Sequence, residues 1–217
     1  MTNQLPTLFH APQSRSLSVL ILLKELNIDF DLQVLNIQKQ ENLKPEFLAI
    51  NPLGKVPTLK HNDAIVTEQV AIYLYLADLH SLGDLAPAID DPLRGPYVRW
   101  LTFYAGCFEP ALCDKGQERD AGPRNMSPYG ELDAVIGAVQ AQLEQGPYLL
   151  GDRFTAADLL WGTALWWCTS FGLVESTPAI KDYIEQILNR PSFVEANKID
   201  AALVAKQEAE QENVVSV

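Results

Sequence analysis

Asn51-Pro52-Leu53-Gly54-Lys55-Val56-Pro57-Thr58-Leu59 is the stretch whose reading decides the fold. A proline after valine at the entrance of an apolar run does not suit a central strand, because proline has no N–H to give to the ladder. The pattern makes sense if the Val56–Pro57 peptide is cis, since such bonds are uncommon and mark sharp turns. That turn would leave the N–H and C=O of Val56 free, and an extended peptide could pair with them as one more strand would.

Working outward, residues 56–59 and 64–66 are apolar runs on either side of Lys60-His61-Asn62-Asp63. The Asn-Asp turn chemistry makes them a hairpin. Over residues 67–79 the period becomes helical, with Val70, Ile72, Tyr73 and Leu76 apolar. On the other side, Thr7-Leu8-Phe9-His10 is a short extended segment broken by Ala11-Pro12-Gln13. A helix fits residues 15–26, with Leu17, Leu20 and Ile21 on a 3–4 spacing and Asn27 as its stop. Phe30, Leu32 and Val34 alternate with Asp31 and Gln33, which predicts a strand with one face more buried than the other. Residues 45–50 allow one helical turn. The expected order is βαβ, a loop with a short helix, then ββα.

Residues 80–92 carry Gly83, Pro87 and Pro92 and read as a linker. Every strong pattern beyond them is helical. Helices are expected over residues 93–113, 127–145, 155–171, 178–189 and 192–210, with residues 213–217 frayed. Ser127 reads as the N-cap of the second, with Pro128 at its first helical position. The fold class is therefore an α/β domain over residues 1–82 followed by an all-α domain over residues 83–217.

The 217 residues suffice for two modest domains. Acidic residues outnumber basic ones 28 to 16, for a formal charge of -12. That average field repels a phosphate backbone and an anionic membrane surface alike. Cys107, Cys113 and Cys168 are odd in number and lack the spacing of a disulfide framework or a zinc site. Free thiols fit a reducing compartment. The first residues show no basic segment before an apolar run, and no stretch reaches the ~20 apolar residues of a membrane helix. The expected location is the cytoplasm.

NPLGKVPTL, followed by Thr67-Glu68-Gln69-Val70-Ala71-Ile72 at a helix start, closely resembles the glutathione transferase superfamily. The first loop suggests a bacterial-type member with a serine-type active site. The resemblance implies a thioredoxin-like N-terminal domain with a four-stranded mixed sheet, a helical-bundle C-terminal domain and a homodimer. In that family the Val–cis-Pro pair clamps the cysteinyl backbone of glutathione, which assigns Val56 and Pro57. An acid and a serine at the next helix start hold the γ-glutamyl end. Glu68 matches the acid, and Gln69 stands where serine is usual. Helix N-terminal N–H groups and the helix dipole favour a carboxylate there. Lys55 stands where the family often reaches for the glycyl carboxylate, and a lysine supplies suitable charge.

The family's catalytic residue lies in the loop Phe9-His10-Ala11-Pro12-Gln13-Ser14-Arg15-Ser16. The Pro-x-Ser pattern of the serine-type classes lands on Ser14. The cysteine-type alignment puts Arg15 at the cysteine and makes Ser16 the alternative. The serine's task is to donate a hydrogen bond to the glutathione sulfur. Lowering a thiol pKa from ~8.5 to about 6.5 needs ~2.7 kcal/mol of preference for the anion. One hydrogen bond to a charged group supplies roughly 1.5–3 kcal/mol, and a helix N-terminus about 0.3–1. No metal or general base is required. No cysteine precedes Cys107, so the N-terminal domain has no thiol for a mixed disulfide.

Thr155 and Asp158, with Phe154 before them, form a capping-box pattern that serves folding, at ~1 kcal/mol. The Arg190-Pro191-Ser192-Phe193 turn is also typical of the family. The family's helix after the linker lines the site for the hydrophobic electrophile. There Tyr104, Cys107 and Phe108 can share a face, and Tyr104 and Phe108 are the expected substrate contacts. Trp161, Trp166 and Trp167 read as core.

The expected activity is conjugation of the glutathione thiolate to a hydrophobic electrophile. The alternatives are a glutathione-dependent disulfide reductase or peroxidase, and a non-catalytic glutathione-binding scaffold. The maleylacetoacetate type of isomerase fits less well, because Gln13-Ser14-Arg15-Ser16 does not match its serine-rich loop.

Overall fold

A computed structural model describes residues 4–215. The chain forms two compact units, one running up to Leu76 and resuming at Arg190, the other spanning Ala77–Asn189. The first unit contains β1 (Thr7–His10), α1 (Ser16–Glu25), β2 (Asp31–Val34), a 3-10 turn at Glu41–Leu43, α2 (Pro45–Leu48), β3 (Thr58–His61), β4 (Ala64–Val66) and the start of α3 (Gln69–Ser81). The sheet order is β2-β1-β3-β4. β1 and β2 are parallel, and the pairs β1–β3 and β3–β4 are antiparallel. This is the mixed βαβ–ββα sheet of a thioredoxin-like domain. The hairpin turns at Asn62, whose φ of 53° lies in the left-handed region that asparagine tolerates.

The second unit holds α4 (Arg94–Phe103), a π-helical turn (Tyr104–Phe108), α5 (Glu109–Gly116), α6 (Leu132–Leu143), α7 (Ala156–Ser170) and α8 (Pro178–Leu188). Trp161 is fully buried at its centre. The rings of Trp100, Phe103, Tyr104 and Phe108 all lie within 6.1 Å of the Trp161 ring. Its Nε1 donates to the Trp100 carbonyl at 3.0 Å. No helix among the described residues is long and apolar enough to cross a membrane.

Three features depart from the sequence reading. The last helix, α9 (Pro191–Val215), packs on α1 and belongs to the first unit, so the chain does not divide once near residue 82. Arg190 Nε donates to both Glu25 carboxylate oxygens at 3.1 Å, and Ser192 also donates to Glu25. Every α1 residue from Ser16 to Leu23 is buried, as a helix apolar all round must be. Second, α6 begins at Leu132 rather than at residue 128. Ser127 Oγ accepts from the Gly130 N–H at 3.1 Å, and Gly130 has φ 74°. The serine thus closes a turn instead of capping the helix. Third, α9 continues beyond residue 210 to Val215, and residues 216 and 217 of the expected frayed end lie outside the described residues.

Gly162 of α7 packs directly against Ile187 of α8. A Cβ there would meet Cγ1 of Ile187 and stand 2.8 Å from its Cβ. Alanine is the better helix former by ~1 kcal/mol, but overpacking a rigid core costs roughly 1–3 kcal/mol. The Ile187 atoms next to its backbone cannot swing away, so Gly162→Ala is expected to lower the melting temperature. A thermal melt checks this, and an unchanged or higher midpoint would show that the two helices can separate at little cost.

Candidate functional site

Strand register brings three corners of the first unit together. β1 and β3 pair antiparallel with Phe9 opposite Thr58. The loop after β1, which carries Ser14, therefore continues beside the segment before β3, which carries Val56 and Pro57. The Gln69 amide at the start of α3 donates to Ser18 Oγ and, at 3.3 Å, to the Arg15 carbonyl. That contact sets the Glu68 corner against the start of α1.

The Val56–Pro57 peptide is cis. Neither the N–H nor the C=O of Val56 pairs with another described residue. Two residues brace this turn from beneath. Buried Asn51 donates from Nδ2 to the Lys55 carbonyl at 2.9 Å and to Thr58 Oγ1 at 3.0 Å, and Thr58 Oγ1 donates to the same carbonyl at 2.9 Å. Gly54 has φ 60°, and a Cβ there would lie 2.9 Å from the Asn42 carbonyl oxygen. Asn51 and Gly54 thus owe their places in the motif to the shape of the turn. Lys55 is exposed and makes no ion pair among the described residues.

Glu68 is exposed, with φ 64°, and its carbonyl accepts the Ile72 N–H at 3.0 Å as α3 begins. Its carboxylate stands at the positive end of the helix dipole. The Gln69 side chain is held by α1, which leaves its backbone N–H as the donor at this corner.

The two loop serines differ in access. Ser14 is half-buried and Ser16 fully buried. Their hydroxyl oxygens lie 2.7 Å apart. Ser14 Oγ also donates to the Ala11 carbonyl at 2.7 Å and accepts from the Ser16 N–H at 3.2 Å. Behind Ser16 stands His10, wholly buried, with Nδ1 at 2.8 Å from Ser16 Oγ. Asp200 of α9 reaches His10 Nε2 at 3.1 Å and accepts the Gln13 N–H at 3.1 Å. The sequence reading did not find His10 or Asp200. The one sign of His10 was a histidine closing a strand whose middle residues, Leu8 and Phe9, are apolar, and Asp200 left none. A cleft lined by Ala11, Pro12, Gln13, Ile37 and Val204 opens beside this loop.

Tyr104 and Phe108 are placed differently from the expectation of substrate contact. They are 4% and 0% exposed and pack on Trp161, while the Tyr104 hydroxyl donates to Glu109 Oε2 at 2.7 Å. Both are packing residues of the second unit. Cys107, Cys113 and Cys168 are half-buried, form no disulfide among the described residues, and all lie in that unit. Among the described residues no group of His, Cys, Asp and Glu could hold a metal ion.

A thioredoxin-like sheet with an unpaired Val56 peptide edge, and a helical unit inserted before its last helix, narrow the class of protein, and comparison with known proteins specifies it. The profile described as glutathione S-transferase, N-terminal domain, matches residues 6–78, and that of the C-terminal domain matches residues 126–191. The chain is 30% identical to glutathione S-transferase GstA of Escherichia coli O157:H7 over 87% of this chain and 96% of that protein. It is 27% identical to the disulfide-bond oxidoreductase YfcG of Escherichia coli K12 over 87% and 93%. The crystal structure of a glutathione transferase from Methylococcus capsulatus superposes with a TM-score of 0.78 at 30% identity, covering 91% of this chain and all of that one. The chain belongs to the glutathione S-transferase family of enzymes.

Proposed function

We propose that this enzyme binds glutathione on its first unit and conjugates the glutathione thiolate to a hydrophobic electrophile. The observation that carries the reading is the half-exposed Ser14 hydroxyl at the corner where the unpaired Val56 peptide and the α3 N-terminus converge. Val56 and Pro57 would pair with the cysteinyl backbone as a short added strand. Glu68 would accept from the γ-glutamyl ammonium, and the α3 N–H groups, Gln69 among them, would take its carboxylate. Lys55 would meet the glycyl carboxylate. Ser14 would donate to the sulfur, and Ser16, being buried, would not reach it. The family resemblance supports a cytoplasmic homodimer.

A second reading is favoured by the relationship to YfcG. In a glutathione-dependent disulfide reductase, one glutathione thiolate attacks a disulfide, expelling one thiolate and leaving a glutathione mixed disulfide, and a second attacks that, releasing glutathione disulfide and the other thiolate. The absence of cysteine from the first unit is compatible with either chemistry, since the attacking sulfur belongs to glutathione in both. A faster rate with a glutathione mixed disulfide than with aromatic halides would favour this reading.

Calorimetric titration with glutathione tests the site itself. Wild type is expected to bind in the micromolar to millimolar range. Glu68→Ala should weaken binding by about tenfold or more, the equivalent of one charge-assisted hydrogen bond of roughly 1.5–3 kcal/mol. No heat from wild type at millimolar glutathione would refute the proposal.

A further inference from the structure

A line of polar groups runs from α9 to the active-site loop, all within the first unit: Asp200, His10, Ser16, Ser14. The first two have no part in the site just proposed. A histidine with no exposure at the end of β1, facing a carboxylate that is itself nearly buried, is a costly arrangement to keep without a task.

Counting protons gives the line a direction. Each serine hydroxyl has one proton and two lone pairs. Ser16 Oγ already accepts from the Ala11 N–H at 3.1 Å. If His10 donates from Nδ1, both Ser16 lone pairs are engaged, and the Ser16 proton is free to point at Ser14 Oγ. Its other acceptor, the Ala11 carbonyl, is farther, at 3.1 Å against 2.7 Å. Ser14 Oγ then accepts from both the hydroxyl and the N–H of Ser16, and its own proton is left to donate outward. The Ala11 carbonyl takes that proton here, and an anionic sulfur would compete for it. If Nδ1 is bare, the Ser16 proton turns back to the ring, and Ser14 loses its strongest donor. The carboxylate of Asp200 beside Nε2 lies off the line of a straight N–H···O bond but close enough to attract a ring that carries protons. Asp200 also holds the Gln13 N–H, and with it a residue whose φ is 53° in the loop.

We infer that His10 and Asp200 are positioning residues for the reaction: the carboxylate holds a proton-bearing ring whose Nδ1–H directs Ser16, and through it Ser14, to donate toward the glutathione sulfur. The inference rests on the reading of Ser14 given above. It also explains why α9 returns to the first unit, since α9 supplies the carboxylate.

The test is a pH titration of the ultraviolet thiolate absorbance of bound glutathione, with KM and kcat measured beside it. The proteins are wild type, Ser14→Ala, His10→Leu, His10→Asn and Asp200→Asn. Each link in such a chain strengthens the next by roughly 10–30%. His10→Leu and Asp200→Asn should therefore raise the thiol midpoint by roughly half a pH unit, about threefold less thiolate below it. The KM for glutathione should stay within about twofold while kcat falls. His10→Asn can place an amide donor near the Nδ1 position and should restore most of the shift. If His10→Leu does not fold, Asp200→Asn decides, because its amide oxygen keeps the Gln13 contact. Titration of the His10 and Asp200 variants together with wild type, while Ser14→Ala departs from it, would overturn the positioning role alone. So would failure of His10→Asn to restore a shift seen in His10→Leu. If Ser14→Ala also titrates with wild type, the reading of Ser14 is lost and the positioning role with it.

Discussion

Asp158→Ala is expected to destabilise the protein by about 3–5 kcal/mol at pH 5, and by less at neutral pH. The carboxyl is wholly buried and collects four donors. Leu149 N–H reaches Oδ1 at 2.9 Å, Thr155 N–H and Oγ1 reach Oδ2 at 2.8 and 3.1 Å, and the Tyr183 hydroxyl reaches Oδ1 at 2.9 Å. These tie the loop before α7, the first turn of α7 and the middle of α8 to one side chain. Alanine leaves several buried donors without partners, at about 1–3 kcal/mol each before relaxation. A sequence reading of the capping box alone assigns ~1 kcal/mol to this residue. The larger figure comes from Leu149 and Tyr183, which no local pattern connects to it. Loss of water on burial pushes the Asp158 carboxyl up from 3.8 to about 6, against the hydrogen bonds that favour the anion. The folded state therefore holds this proton more tightly than the unfolded chain. The stability so gained is fully present below 3.8 and is lost as pH rises through about 6. Removing Asp158 removes that dependence, so the penalty should shrink by roughly 1–1.5 kcal/mol between pH 5 and pH 7. Denaturant melts of wild type and variant at the two pH values read this directly. A penalty under about 1 kcal/mol, or one that grows toward neutral pH, would show that Asp158 is not the junction described.

Several elements of the fold were legible because their signals are local. Val56-Pro57 carries its own backbone constraint, Asn62-Asp63 its turn chemistry, and Phe30, Leu32 and Val34 a period of two. The membership of α9 was not legible from order along the chain. Yet the run Ser16-Leu17-Ser18-Val19-Leu20-Ile21-Leu22-Leu23 shows too little polar surface for a helix covered on one side only. That run was the available sign that α1 needs a second cover. The π-helical turn left no trace, because Tyr104 and Phe108 keep a helical spacing whether or not one residue is looped out. The same spacing suits an aromatic ligand face and an aromatic core, and burial against Trp161 selects the core. Around the candidate site, features that rest on backbone or local loop chemistry were readable: the cis peptide of Val56 and Pro57, and the helix that starts after Glu68. His10 and Asp200 were not, because their meeting depends on how α9 folds back.

Ser14→Ala is expected to leave glutathione affinity within about twofold and to lower conjugation by roughly 10–100-fold near neutral pH. The serine contributes no charge and no part of the clamp, so most ground-state binding survives its loss. What disappears is one hydrogen bond to an anion, of roughly 1.5–3 kcal/mol. That corresponds to about one to two pH units in the bound thiol, which then titrates near the ~8.5 of a free thiol. The loss should be largest below that pH and narrow as pH rises, because at high pH the thiolate forms without help. A rate deficit constant across pH would instead indicate that Ser14 orients the sulfur without stabilising its anion. The substitution also separates the two chemistries. Conjugation depends on the thiolate in its rate-limiting attack and should show the whole deficit. In disulfide exchange the leaving sulfur carries part of the burden, and Ser14 would only orient one of two glutathiones, so reduction of a mixed disulfide should fall less. Parallel rate–pH profiles for an aromatic halide and a glutathione mixed disulfide, each with wild type and Ser14→Ala, give both comparisons. Equal, pH-dependent losses in the two would mean that one serine-held thiolate serves both reactions. A large affinity loss in Ser14→Ala would place the serine in the binding clamp, and the thiol activator would then have to be sought elsewhere in the first unit.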